Sequence, residues 1–329
     1  MTTFQAFWVE KSDAGVSRSV IERNTDDLPA GEVLIRVAYS SVNYKDALSA
    51  NGMPGVTRNY PHTPGIDAAG VIAESAVPDL REGDEVVVIG FDLGMNTPGG
   101  FGEYIRVPAG WVVKMPSGLT TREAMVLGTA GFTAALCVEK LIVMGASAAD
   151  GPVLVTGASG GVGSVAVALL ARLGYEVIAS SGKADKAEYL KSLGANAVIG
   201  REVLGSENKR PLLGTDYAHG VDTVGGDTLS NLLKSVKYGG SVAACGLVAS
   251  PMFPASVFPF ILRSVNLLGI DSVELPLEHK RDTWGKLAGE WHLDNLDSMV
   301  NEVGLPELGE VCDAILEGKV SGRTLVKHQ

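Results

Sequence analysis

The stretch Val153-Leu154-Val155-Thr156-Gly157-Ala158-Ser159-Gly160-Gly161-Val162-Gly163 constrains this chain more than any other. Its three apolar residues read as a strand buried on both faces. The residues after the glycines place Val162, Val165, Ala166, Leu169, Leu170 and Leu173 on one face of a helix over 161–173, which Gly174 ends. Strand, glycine turn and helix then repeat. The pattern predicts strands at 176–179, 197–199, 220–224 and 240–246, and helices at 184–193 and 227–237. Short apolar strands alternating with helices of about 10–13 residues predict a parallel sheet with helices on both faces, a doubly wound α/β domain.

The flanks read differently. Up to about residue 120 the chain is β-rich, with apolar runs at 32–37, 70–73 and 84–89, punctuated by Pro61, Pro64-Gly65, Gly83 and Pro98-Gly99-Gly100. Residues 121–144 return to helical spacing. From about 265 the pattern is mixed and ends in a strand-like Thr324-Leu325-Val326. The expected organisation is a β-rich domain over 1–122, the doubly wound domain over 123–264, and a segment over 265–329 that returns to the first. A length of 329 residues suits two domains at about 150 each.

Composition narrows the function classes. Lys and Arg number 27 against 38 Asp and Glu, a formal charge of −11, so the chain lacks a general footprint for nucleic acid or an anionic membrane. The run 239–262 is uncharged and long enough to imitate a membrane span. Pro251, Pro254 and Pro259 interrupt it, and the expectation is a buried globular segment. Three scattered cysteines make no disulfide framework, and the first residues lack a cationic start and a long apolar core. A cytoplasmic protein is expected.

A glycine-rich turn between strand and helix is where a dinucleotide pyrophosphate rests, because the backbone can approach it and the helix start offers unpaired N–H groups. Ser159, Gly160, Gly161, Val162 and Gly163 are the candidate cradle, although the spacing departs from G-x-G-x-x-G. The tip of the next strand reads Ala179-Ser180-Ser181-Gly182-Lys183. An NAD-selective site places a carboxylate there to accept from the ribose 2′-OH. Hydroxyls of Ser180 and Ser181 with the Lys183 cation instead suit a 2′-phosphate, so NADPH is the expected cofactor.

Further segments carry a resemblance: Ser41-Val42-Asn43-Tyr44-Lys45-Asp46-Ala47-Leu48, Pro64-Gly65-Ile66-Asp67, Gly128-Thr129-Ala130-Gly131-Phe132-Thr133-Ala134 and Gly322-Arg323-Thr324-Leu325-Val326-Lys327. With the glycine turn they span nearly the whole chain. The sequence resembles the zinc-independent medium-chain dehydrogenase/reductases related to quinone oxidoreductases, and within them the NADPH-dependent acryloyl-CoA reductase branch. The resemblance implies a GroES-like β-rich catalytic domain plus a doubly wound Rossmann domain, with the active site in the cleft between them. It places Tyr44 near nicotinamide and substrate, 159–162 at the pyrophosphate, 181–183 at the 2′-phosphate and Arg201 on the adenine side. Leu247, Ile261 and Ser272 would approach the nicotinamide half or a dimer-facing sheet, and Arg323 the cofactor or an anionic part of the substrate. It also implies a homodimer. Zinc-dependent relatives place a catalytic Cys near position 43 and a His at position 66, where this chain has Asn43 and Ile66. No set of about four tetrahedral ligands is visible, so no metal site is expected.

The chemistry the resemblance implies is reduction of an α,β-unsaturated acyl-CoA, acryloyl-CoA to propanoyl-CoA, with backbone N–H groups, the Asn43 amide or the Tyr44 hydroxyl donating to the enolate oxygen. Arg323 completes the candidate catalytic set. Asp46 and Asp67 read as hydrogen-bonded structural carboxylates, Cys137 and Cys245 as small core residues, and the five histidines as ordinary. Lys45, Arg58, Lys280 and Arg281 are candidate partners for the coenzyme A phosphates. Alternatives are a broad quinone or enone reductase and a non-catalytic NADPH-binding redox sensor.

Overall fold

A computed structural model describes residues 2–328. The chain forms two compact units, one of Met1–Thr129, Ser272–His292 and Leu296–Gln329, the other of Ala130–Asp271 and Leu293–Asn295. The first unit opens with an antiparallel hairpin, β1 (Thr3–Ser12) and β2 (Gly15–Asn24). It continues through β3 (Val33–Val42), α1 (Tyr44–Ala50), β4 (Asp67–Ser75), β5 (Glu85–Ile89), β6 (Tyr104–Val107) and β7 (Val113–Lys114). Helix α2 (Thr121–Val143) then carries the chain into the second unit.

The second unit holds β8 (Val153–Val155), α3 (Gly161–Arg172), β9 (Val177–Ser181), α4 (Ala187–Ser192), β10 (Ala197–Gly200), β11 (His219–Asp222), α5 (Gly226–Ser235), β12 (Ser241–Ala244), α6 (Phe258–Arg263) and β13 (Asn266–Gly269). Back in the first unit come α7 (Leu277–Ala288), β14 (Val300–Val303), α8 (Leu308–Leu316) and β15 (Arg323–Lys327).

In the first unit the strands run β14-β15-β3-β4-β5-β7, with β6 also on β3. All pairs are antiparallel except β14 with β15. Alternate residues Val33, Ile35 and Val37 of β3 bury against Ile72, Val86, Val88, Ile105 and Val107, as a period of two requires of a sheet with one packed face. On another side of this unit Val42, Ala47, Ala50, Leu308, Cys312 and Val326 share a core. Arg18 grips Asp313 with two bonds of 2.7 and 2.9 Å and ties the hairpin to α8.

In the second unit all six strands are parallel in the order β10-β9-β8-β11-β12-β13. The order reverses between β8 and β11, which makes their carboxyl ends the expected ligand crevice of a doubly wound sheet. The five predicted strands and the helices between them are present. Strand β13 is an addition: the sequence put residues after 264 in the returning segment, yet 266–269 pair with β12.

The expectation of a buried 239–262 segment is overturned beyond β12. Leu247, Val248, Met252, Val257, Phe258, Ile261 and Leu262 are exposed. The prolines that break this run keep it out of the sheet, and only the short α6 forms. Among the described residues α2 is long and apolar enough to cross a membrane, but 67% of its most apolar window is buried.

His328, just past β15, donates from Nε2 to the Gly100 carbonyl at 2.8 Å. Its Nδ1 is buried without a partner among the described residues. Burial pushes the imidazole down to about 4. The unfolded chain takes up this proton below about 6.5 and the folded chain does not. The stability His328 contributes is therefore complete above pH 6.5 and lost as pH falls toward 4. Urea denaturation of wild type and His328→Asn should show the difference between them shrinking by about 3 kcal/mol from pH 7 to 4. A pH-independent difference would contradict the burial of a neutral ring.

Candidate active site

In the second unit the turn after β8 is built around two glycines with no room for a side chain. At Gly157 (φ 59°) a Cβ would land on the Thr223 hydroxyl and 3.2 Å from Val224 Cγ2. At Gly163 it would land on the Gly157 carbonyl and 2.7 Å from Ala158 Cα. Helix α3 thus starts tight against the strand end. Gly160, its N-cap, supplies no side chain to cap the first turn, so the N–H groups that open the helix face outward to an anion. The turn is braced by Asp222 at the end of β11. Its carboxylate accepts from the Thr156 hydroxyl at 2.7 Å and the Gly225 N–H at 2.7 Å, and burial raises its pKa.

The tip of β9 is bound to the same turn. The Ser181 hydroxyl donates to Ser159 Oγ at 3.0 Å and accepts from the Lys183 N–H at 3.1 Å. The Ser180 carbonyl accepts from the Ala158 N–H at 3.0 Å. Arg201 is exposed and lies along Gly182, where a Cβ would come 2.7 Å from Arg201 Cδ. Burial, with Lys186 nearby, lowers the Lys183 ammonium below the usual lysine range while Asp185 opposes. The tip thus gathers two serines, a lysine and an arginine, and no residue from Ala179 to Lys183 is acidic. These residues fit a dinucleotide bearing a 2′-phosphate.

In the first unit a buried polar cluster lies behind the start of α1. Asp67 Oδ2 accepts from the Ser41 hydroxyl at 2.5 Å, the Asn43 side-chain amide at 2.7 Å and the Thr129 N–H at 2.9 Å. Asp67 Oδ1 accepts from the Thr129 hydroxyl at 2.5 Å. Asp46 accepts from the N–H groups of Asn43, Gly65 and Ile66 at 2.8, 3.1 and 2.9 Å. Burial, with Asp67 adding repulsion, pushes its carboxyl up to about 7 against the opposing bonds from the Asn43 and Ile66 N–H groups and the Asn43 side chain. Arg323, only 3% exposed, donates from Nε to the Val126 carbonyl at 2.9 Å and from Nη2 to Asn43 Oδ1 at 3.4 Å. Burial lowers the guanidinium pKa, and Asp67 and Asp46 oppose that.

This geometry revises one expected role. Both N–H groups of the Asn43 amide are spent, on Asp67 and on the Ser41 carbonyl, so Asn43 has no donor left for an enolate oxygen. Arg323 is turned into the cluster, where its Nε and Nη2 are engaged by Val126 and Asn43. Tyr44 is different: it opens α1, is 39% exposed, and its hydroxyl has no hydrogen bond among the described residues. Asp46 and Asp67 are hydrogen-bonded carboxylates, as expected.

Leu247 and Ile261 are 57% and 69% exposed in the second unit, and Ser272 is buried in the first. Lys280 leaves the expected cation group. Its ammonium is buried, donates to the carbonyls of Ile89 and Val273 at 2.8 and 2.9 Å, and sits 3.6 Å over the Phe91 ring. Among the described residues no group of three or more His, Cys, Asp or Glu is placed to hold a metal ion. Sequence reasoning missed Ser41, Gly128, Thr129, Thr156 and Asp222. A glycine inside the apolar helical run at 128 was the available signal.

Residues 29–117 match the family model described as alcohol dehydrogenase GroES-like domain, and 161–288 that described as zinc-binding dehydrogenase. The chain is 46% identical to the putative quinone oxidoreductase YhfP of Bacillus subtilis, covering 99% of both. It is 45% identical to the acrylyl-CoA reductase AcuI of Ruegeria pomeroyi, covering 98% of both. The structure of the yhdH oxidoreductase of Salmonella enterica in complex with NADP superposes with a TM-score of 0.96 at 44% identity, over 99% of this chain and 100% of that one. The B. subtilis yhfP structure with NAD bound gives a TM-score of 0.96 at 45% identity over the whole of both chains. A strand–glycine–helix turn on a parallel sheet, a GroES-like partner unit and full-length likeness together make this chain a member of the medium-chain dehydrogenase/reductase family, among its quinone-oxidoreductase-like proteins.

Proposed function

We propose that the protein reduces the C=C bond of an α,β-unsaturated acyl-CoA with NADPH, acryloyl-CoA to propanoyl-CoA. The observation that carries this reading is the end-to-end likeness, at 45% identity, to a protein named acrylyl-CoA reductase. When bound, NADPH supplies the hydride. The chain would hold its pyrophosphate on the N–H groups of Gly161, Val162 and Gly163 that open α3, since the Gly160 N–H is spent on the Gly157 carbonyl at 2.9 Å, and its 2′-phosphate with Ser180, Ser181, Gly182, Lys183 and Arg201. Reduction at the β-carbon of the substrate builds charge on the thioester oxygen, and a proton must then reach the α-carbon. The exposed Tyr44 hydroxyl stabilises that charge or passes the proton. Asn43 orients the start of α1 from behind.

The proposed reaction is independent of zinc. The position where zinc-dependent members carry histidine is the buried Ile66, and the position near their cysteine is Asn43, committed to Asp67. Three free thiols suit a reducing cytoplasm, and undiminished turnover after chelation is the expected metal test. The exposed apolar residues from Leu247 to Leu262, with the free edge of β13 at the sheet margin, support a homodimer, because such surface and such edges seldom stay uncovered. Sedimentation should give twice the chain mass, and a monomer would refute the pairing.

The 46% likeness to a putative quinone oxidoreductase favours a second reading, reduction of quinones. Reduced-nicotinamide absorbance, with NADPH and NADH each crossed against acryloyl-CoA, crotonyl-CoA and a benzoquinone, separates the two. Acryloyl-CoA with NADPH should be consumed fastest. A faster benzoquinone reaction would select the second reading, and equal use of NADH would refute the role given to Lys183. Tyr44→Phe should lower turnover by about a hundredfold or more, since one lost donor to a developing oxyanion is worth about 2.7–4 kcal/mol. A change within about threefold would remove both roles from its hydroxyl.

A further inference from the structure

Helix α2 breaks at Gly128, where φ is 51° and ψ −160°, a conformation essentially reserved for glycine. In an unbroken helix the Thr129 N–H would donate to the carbonyl of Met125, four residues back. Here it donates to Asp67 Oδ2 at 2.9 Å, and the Thr129 hydroxyl donates to Oδ1 at 2.5 Å. In the turn before the break the Val126 carbonyl takes the Arg323 Nε–H at 2.9 Å. A Cβ at 128 would land on the Ser41 hydroxyl, 2.5 Å from Asp67 Oδ2 and 2.8 Å from Arg323 Nη2. The break therefore delivers two donors to a buried carboxylate through space that only glycine leaves open.

Two bonds from one residue to both oxygens fix the rotation of the carboxylate, a torsion that is otherwise broad. The same Oδ2 then holds the Asn43 amide at 2.7 Å, and Asn43 is the N-cap of the helix that begins with Tyr44. Without the Thr129 hydroxyl, Oδ1 loses its one side-chain donor among these bonds, and the plane that aims Oδ2 at Asn43 is set from one side only.

We propose that Thr129 is a positioning residue: its two-point hold on Asp67 fixes Asn43 and, through it, the start of α1 that presents Tyr44 to the reacting bond. The proposal rests on the reading of Tyr44 given above. It predicts that turnover depends on a hydroxyl that acts through Asp67 rather than through the binding of NADPH.

The test compares Thr129→Val, which keeps the shape and loses the hydroxyl, with Thr129→Ser, which keeps it. Thr129→Val should lower kcat about tenfold, the kinetic equivalent of losing one hydrogen bond to a charged group. Its KM and Kd for NADPH should stay within about twofold. Thr129→Ser should restore kcat. Hydrogen–deuterium exchange of the full-length protein without substrate supplies a readout separate from activity: peptides covering 44–50 should exchange faster in Thr129→Val and normally in Thr129→Ser. Unchanged exchange in Thr129→Val, or equal losses in both variants, would overturn the proposal. If Thr129→Val does not fold, Thr129→Ala removes the same hydroxyl with less bulk and is read the same way against Thr129→Ser. The expected exchange pattern in a protein inactive on every alkene and quinone offered would refute the assigned reaction and leave the hold of Thr129 on Asp67 standing.

Discussion

The second unit depends on the closeness of two backbone segments at Gly157 and Gly163. A methyl group at either position would push α3 away from the end of β8, and the amides that open the helix would no longer stand over the switch point of the sheet. Asp222 braces the other side of that point through Thr156 and Gly225. The first unit uses the same device for another purpose. Gly128 leaves space that the Ser41 hydroxyl, Asp67 and Arg323 fill. In both units a glycine is present because a polar group needs the volume a side chain would take.

Buried charge in the first unit is arranged to balance. Arg323 is enclosed with Asp67 and Asp46 as its electrostatic counterweights. Isolated, any of the three would be costly to bury. Together they hold Asn43 from both ends of its amide, the Nδ2 on Asp67 and the Oδ1 near Arg323. The Asp46 carboxyl near neutrality follows from its complete burial beside a second carboxylate, and the backbone N–H groups of Asn43 and Ile66, with the Asn43 side chain, keep it from rising further. Tyr44 stands at the exposed end of this arrangement, so the ordered interior lies behind the residue proposed to meet the substrate.

What the sequence made legible was local. Strand 153–155, the glycines, the amphipathic helix after them and the serine–lysine tip of β9 lie within about thirty residues, and each obeys a periodicity or a turn rule. The cluster around Asp67 was hidden because its members are far apart in the chain: Asn43 is 24 residues from Asp67, Thr129 62, and Arg323 280 from Asn43. No spacing rule links them. The opposite error occurred at 245–262, where an uncharged run reads as core although its prolines hold it outside the sheet. Lys280 misled in a third way, since a lysine next to an arginine reads as surface, and only the carbonyls of Ile89 and Val273 reveal that it is interior.

In the proposed reaction, hydride passes to the β-carbon of an unsaturated thioester. Decisive evidence comes from NADPH carrying deuterium at both C4 positions of the nicotinamide, acryloyl-CoA and the purified protein, with mass spectrometry of the acyl product. Propanoyl-CoA carrying a single deuterium at C3 should form in step with oxidised cofactor. Deuterium at C2, an aldehyde from attack at the thioester carbonyl, or cofactor oxidation without labelled propanoyl-CoA would contradict it.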